Sequence, residues 1–169
     1  MIAEDQSNVG MVLSENTYRK ISRIVLELNL RLKSQVCIFV DRNGYPVEYS
    51  GETNDLNMNT LTAVAAACFS TSNEMSEMTN HESHFQHILL EGERRNVYMC
   101  SVSSDYLMII VFEKSVAIGY VRLLTHAAVD KLSVYLDRLK EQSLDVSDLF
   151  DDSFRTRLDS EMDQIFGAE

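Results

Sequence analysis

MCSVSSDYLMIIVFEKSVAIGYVRLL, residues Met99 to Leu124, decides the fold. It reads as a strand end, a tight turn, an apolar strand and the start of a long helix. Tyr106 to Phe112 is apolar without alternation, as in a strand covered on both faces or lying mid-sheet. Glu113-Lys114-Ser115 breaks that run. The Ser115 hydroxyl is placed to cap a following helix over about Val116 to Glu141. Val121, Leu124, Ala128, Leu132, Tyr135 and Leu139 form its apolar stripe. Gly119 in its first turn suggests close approach to a sheet.

Upstream of this stretch lie two more strands, Gln86–Glu91 and Val97–Ser103, joined by the polar turn Gly92–Asn96. With Tyr106–Phe112 they make an antiparallel meander. In the second of them Val97, Met99 and Ser101 face one way, and Tyr98, Cys100 and Val102 the other. Near the start of the chain, Val36–Asp41 and Tyr45–Ser50 flank Arg42-Asn43-Gly44. Asn-Gly predicts a two-residue hairpin turn with positive φ values. Pro46, the only proline, lacks an N–H and belongs on an edge strand.

A helix over Glu15–Lys33 carries the stripe Tyr18, Ile21, Val25, Leu28 and Leu32, widened by Ile24, Leu26 and Leu30. Ser14 is its expected cap. A second helix, about Asp55–Met78, has two faces. One holds Met58, Leu61, Ala65, Cys68, Ser72 and Met75. The other holds Asn59, Ala63, Ala66, Ala67, Ser70 and Glu74, free of lysine and arginine and small enough for close helix–helix contact. The element order is α-β-β-α-β-β-β-α, an α+β fold, over residues 14–141. Residues 1–13 read as a flexible arm. Residues 142–169 hold eight acidic and two basic side chains. Phe154, Leu158, Met162 and Ile165 share one helical face there, beside Phe166, so this acidic amphipathic tail reads as a docking helix.

Composition excludes several functions. The chain has 169 residues, 45% of them hydrophobic, and a formal net charge of −11, so it buries a core while repelling phosphate backbones. Nucleic-acid binding is not expected. No run reaches the ~18 apolar residues of a membrane span, and MIAEDQSNVG is too acidic for a secretory signal. Cys37, Cys68 and Cys100 are odd in number and far apart, the pattern of reduced thiols in a cytoplasmic protein. There is no G-x-x-x-x-G-K-[ST] and no G-x-S-x-G, so neither nucleotide cradling nor catalysis by this chain is expected. His81, His84 and His87 tempt a metal or ligand-sensing reading. Their spacing of three and three is not H-E-x-x-H, and they read better as loop and edge-strand surface. Arg94 and Arg95 tempt an arginine-finger reading, but a basic hairpin tip is ordinarily solvated. No metal or cofactor is expected.

VDRNGYPVEYSG over the first hairpin, NTLTAVAAA in the middle helix and LLEGERRNVYMCSVSSDYLMIIVFEKSVAIGYVRL resemble the Roadblock / dynein-light-chain family. Within it they are most similar to the MglB-like regulators of the Ras-like GTPase MglA. Glu91-Gly92, Val97-Tyr98-Met99 and Ser115–Leu123 stand where that family's pattern has its equivalents, and the terminal DQIFGAE is similar to the family's acidic end. The resemblance implies a five-stranded antiparallel sheet in order 2-1-5-4-3, flanked by helices. It implies a homodimer through the third strand and middle helix, with Ala66, Phe85, His87 and Leu89 as contacts. It implies docking of a bacterial Ras-like GTPase of MglA type on Ala63, Ala67, Ser70, Thr71 and Glu74, assisted by Phe154, Leu158, Met162, Ile165 and Phe166 of the tail. The dimer would promote GTP hydrolysis by repositioning the GTPase's own residues, in polarity or motility control, as a cytoplasmic protein enriched at a cell pole. The alternative is a scaffold that binds such a partner without stimulating hydrolysis. Ser70 and Glu74 are larger than the alanine and glycine that the family carries there.

Overall fold

A computed structural model describes residues 15–80 and 85–138. The elements are α1 (Glu15–Leu32), β1 (Val36–Asp41), β2 (Pro46–Gly51), α2 (Met58–Asn80), β3 (His87–Glu91), β4 (Arg95–Ser101) and β5 (Tyr106–Glu113), then α3, helical over 118–138. The five strands form one sheet in order β2-β1-β5-β4-β3. All its pairings are antiparallel.

β5 is central. Leu107 to Phe112 are all buried because both faces of the sheet are covered. Alternate residues feed two cores. Met108, Ile110 and Phe112 join Cys37, Phe39, Tyr98 and Cys100 under α1 and α3. Leu107, Ile109 and Val111 join Val36, Ile38, Val40 and Met99 under α2. The chain is therefore three-layered. Each large apolar side chain buried this way contributes about 1.5–3 kcal/mol. The α1 stripe lies as expected from Ile21 onward, with Ile21, Val25, Leu28 and Leu32 buried and Ile24 beside them, whereas Tyr18 at its start is exposed, as are Leu26 and Leu30.

Several local expectations are corrected. Asn43 does not take a positive φ; among the described turn residues only Gly44 does, at +89°. Gly44 N donates to the Asp41 carbonyl (3.0 Å) and Asp41 N to the Tyr45 carbonyl (3.0 Å). The loop is thus three residues long, ending in a left-handed glycine. The Asp41 carboxylate makes it rigid by accepting from Asn43 N (2.9 Å) and Tyr45 N (2.8 Å). Ser115 does not cap α3. It sits in a turn, and the Ala117 carbonyl accepts the first helical bonds, from Tyr120 N and Val121 N. A Cβ on Gly119 would meet nothing within 4 Å, so no close approach to the sheet explains that glycine.

The two sheet edges differ. On β2 the Tyr45 carbonyl is turned toward β1, so the next nitrogen, that of Pro46, points outward with no hydrogen to donate. The Tyr49 N–H is already taken by the Glu48 carboxylate at 2.9 Å, and the β1–β2 register shifts between Phe39 and Val40. The β3 edge carries neither proline nor lysine.

The thiols behave as core atoms. Burial pushes Cys37 up to about 12, against a weaker opposing hydrogen bond to Ser34. Burial likewise pushes Cys100 up to about 12. In the folded state both stay protonated where the unfolded chain releases its protons. The stability they contribute is present below about pH 9 and declines as pH rises from 9 toward 12. In a thiol-titration assay at pH 8, only half-buried Cys68 should react in the native protein, with all three reacting in denaturant.

Candidate functional site

α2 carries the candidate site. Asn57 starts it, its side-chain oxygen accepting from Thr60 N (3.2 Å). Phe69, the helix's one aromatic residue, is buried with Thr62, Ala65 and Ala66 against the sheet. This sets the rotation of the helix and corrects the expected faces. Ala66 lies in its own protomer's core, 5% exposed, which leaves it little surface to offer a mate. Met75, placed on one face with Ala65, is exposed while Ala65 is buried.

Ala63, Ala67, Ser70, Thr71 and Glu74 are all exposed and form one contiguous arc of the helix. The arc extends through Thr60, Val64, Met75 and Met78. Val64 is 62% exposed and Met78 85%. Thr71 turns its hydroxyl back onto the Ala67 carbonyl (2.9 Å), which leaves its methyl group outward. No lysine or arginine occurs anywhere in α2. The result is a cation-free, largely apolar stripe on a strongly acidic protein, the kind of surface that ordinarily meets another protein.

The first hairpin frames this stripe. A Cβ on Gly44 would lie 2.7 Å from the Ala63 Cα, so only glycine lets the turn rest on the helix backbone. Beside it, Arg42, Ser70, Asn73, Glu74 and Glu77 line a cleft of about 240 Å3 floored by Phe69 and Leu107. The buried Asn73 side-chain oxygen has no hydrogen-bond partner there.

The remaining expected contacts gather at the β3 edge. Phe85 precedes the strand and is exposed, as is His87, while Leu89 is half-buried against the α1/α3 core. Leu90, which the sequence does not single out, is 47% exposed on the opposite face. Arg94 and Arg95 are exposed at the β3–β4 turn. His81 and His84, and Phe154, Leu158, Met162, Ile165 and Phe166 of the tail, lie outside the described residues. Among the described residues no group of three or more His, Cys, Asp or Glu side chains is placed to hold a metal, and no helix is long and apolar enough to cross a membrane.

Comparison with known proteins follows the same outline. The family model described as Roadblock/LC7 domain matches residues 27–112. A protein of Aquifex aeolicus, described as uncharacterized, is 23% identical over 164 residues, covering 95% of this chain and 97% of that one. MglB of Myxococcus xanthus superposes with a TM-score of 0.69 at 21% identity, over 82% of this chain and 96% of that one. The gliding protein MglB of Thermus thermophilus superposes with a TM-score of 0.71 at 19% identity, over 78% and 98%. At these identities the structural likeness is one of fold.

Proposed function

The chain belongs to the Roadblock/LC7 family, and on that premise we propose that it is a homodimeric regulator of a bacterial Ras-like GTPase of MglA type. It acts without a catalytic centre of its own. The observation that carries this reading is the apolar, cation-free outer arc of α2, from Ala63 and Val64 through Ala67 and Thr71 to Glu74 and Met78. GTP hydrolysis needs an attacking water held in line and stabilisation of the charge that develops on the phosphoryl group. The α2 arc itself carries no arginine, and in this reading it lowers that barrier by moving groups that the GTPase already owns. Small side chains at Ala63 and Ala67 let a switch segment lie close to the helix, and the rigid turn at Gly44 holds the edge of the platform in place. The likeness in fold to a gliding protein supports a role in motility or cell polarity.

The test is GTP hydrolysis by a Ras-like GTPase of the same organism, with and without the full chain. We expect a rise of at least tenfold, about 1.4 kcal/mol of barrier. Binding with no acceleration would replace the activator reading with that of a scaffold.

A further inference from the structure

On the side of the sheet opposite α2, a groove runs between α1 and α3. The two helices are antiparallel. The Tyr120 hydroxyl donates to the Arg31 carbonyl (3.4 Å), Lys131 Nζ lies 3.8 Å from Glu27 Oε2, and Lys20 Nζ sits 5.0 Å from the centre of the Tyr135 ring. Ile24, Leu28, Leu124 and Ala128 line the groove. Its rim is apolar as well. Leu30 and Leu123 are the two most exposed leucines among the described residues, and Val134 is exposed too. Spacings of three and four put Leu30 on the row of Arg23 and Glu27, and Leu123 on the row of Ala127 and Val134. Antiparallel packing sets Leu30 and Leu123 at the same level.

The charge of this layer is opposite to that of the chain. The formal net charge is −11, yet the described residues of α1 and α3 hold seven lysines and arginines against four acids. Lys20, Arg23, Arg31, Lys131 and Arg138 are exposed along the groove. Of the acids, Glu27 pairs with Arg31 (2.7 Å) and Glu15 with Arg19 (2.6 Å). An apolar groove edged by cations fits an acidic amphipathic segment, and one follows in the sequence. Residues 142–169 hold eight acidic and two basic side chains, with Phe154, Leu158, Met162 and Ile165 at helical spacing. Arg138 lies at the Lys20 end of the groove, so the chain beyond it can turn back along α1 and α3. From Tyr120 to Tyr135 the groove runs roughly 22 Å, and a helix over 153–166 spans about 21 Å. Residues 1–13 offer only two acids, Glu4 and Asp5, and no sustained helical period.

We propose that the acidic tail, residues 142–169 of the same chain, docks along the α1/α3 groove, with its apolar row against Leu30, Leu123 and Val134 and its carboxylates beside the rim cations. Exposed ion pairs are individually weak. The apolar row therefore holds the tail, and the charges decide which segment the groove accepts. The groove and the α2 arc lie on opposite faces of the sheet. A partner on the arc leaves the groove uncovered, and a tail in the groove leaves the arc open.

The experiment uses fluorescence of the full chain. The sequence holds no tryptophan, so Phe154→Trp supplies a single reporter in the tail. Its emission should be blue-shifted from that of the same chain in denaturant, and it should resist quenching by acrylamide. Adding Leu123→Glu, or Lys131→Glu together with Arg138→Glu, should shift the emission to the red and raise quenching several-fold. Leu158→Glu in the tail should do the same, whereas Val64→Glu on the α2 arc should leave the reporter buried. Leu123, Lys131, Arg138 and Val64 are exposed, so circular-dichroism melts should show the fold kept. A reporter exposed in the otherwise unchanged chain overturns the proposal and leaves the groove to another occupant. A buried reporter that ignores Leu123→Glu overturns it too, because the tail then docks elsewhere, and a response to Val64→Glu names the α2 arc as that place. A blue shift that fades on dilution assigns the groove to the tail of a second copy and overturns docking within one chain. None of these readouts involves GTP hydrolysis, so their failure leaves the regulator reading standing.

Discussion

Replacing Gly51 with alanine should destabilise the protein by about 3–5 kcal/mol, from backbone strain together with overpacking. Gly51 ends β2 with φ at +126°, a conformation that side chains rarely adopt. A Cβ there would lie 2.1 Å from the Gln35 carbonyl oxygen and 2.8 Å from the Val36 Cα. Neither atom is free to move away. Gln35 N donates to the Val111 carbonyl (2.9 Å), its own carbonyl accepts from Glu52 N (2.7 Å), and Val36 is paired on both sides, with Gly51 and Val111. Relief of the clash would therefore have to shift β1 against the central strand. Urea denaturation of the purified variant measures the loss, and a change below about 1 kcal/mol would contradict the strain argument. Gly119→Ala is the control. It lies in α3 with open space around it, and should stabilise by roughly 0.5–1 kcal/mol as glycine leaves a helix.

Ala67→Arg should abolish stimulation of the GTPase and weaken its binding on the order of a hundredfold or more. Ala67 is exposed in the middle of the α2 arc, and arginine is a good helix former, so the fold should survive. In a complex, that guanidinium would be driven into an apolar contact with no carboxylate built to meet it. An unpaired charge buried in this way costs several kcal/mol. GTP hydrolysis assays, with binding measured in parallel, read both effects. If hydrolysis is unaffected, α2 is not the docking face. If the variant instead loses self-association, the arc belongs to the second copy rather than to the GTPase.

The parts of the fold that could be read from the sequence were those set by long-range burial. Tyr106–Phe112 announced a strand covered on both sides because it lacks alternation, and it is the central strand. Pro46 announced an edge because a missing N–H cannot be tolerated elsewhere in a ladder. The alternation in Val97–Val102 assigned its residues to two faces that prove to be two separate cores.

What could not be read was set by geometry that composition does not encode. Asn43-Gly44 fits a two-residue turn as well as a three-residue one, and the Asp41 carboxylate decided between them by bonding two backbone N–H groups of the loop. The rotation of α2 was ambiguous because alanine, serine and threonine surround it almost evenly. Phe69, the one bulky anchor, could have fixed the phase, and with it Ala66 would have been placed inside and Val64 and Met75 outside. Leu90 gives no signal of its own because its exposure depends on where α2 ends its cover of the sheet.

The unequal edges of the sheet bear on assembly as polymer chemistry would describe it. A strand that can accept a neighbour on each side is a bifunctional unit, and such units add to one another without limit. This chain has one functional end. β3 can pair, but at β2 the outward nitrogen of Pro46 has no hydrogen to offer, and Glu48 already occupies the Tyr49 N–H. If copies couple through β3, as the homodimer reading has it, further growth would meet the blunted β2 edge and stop after one step.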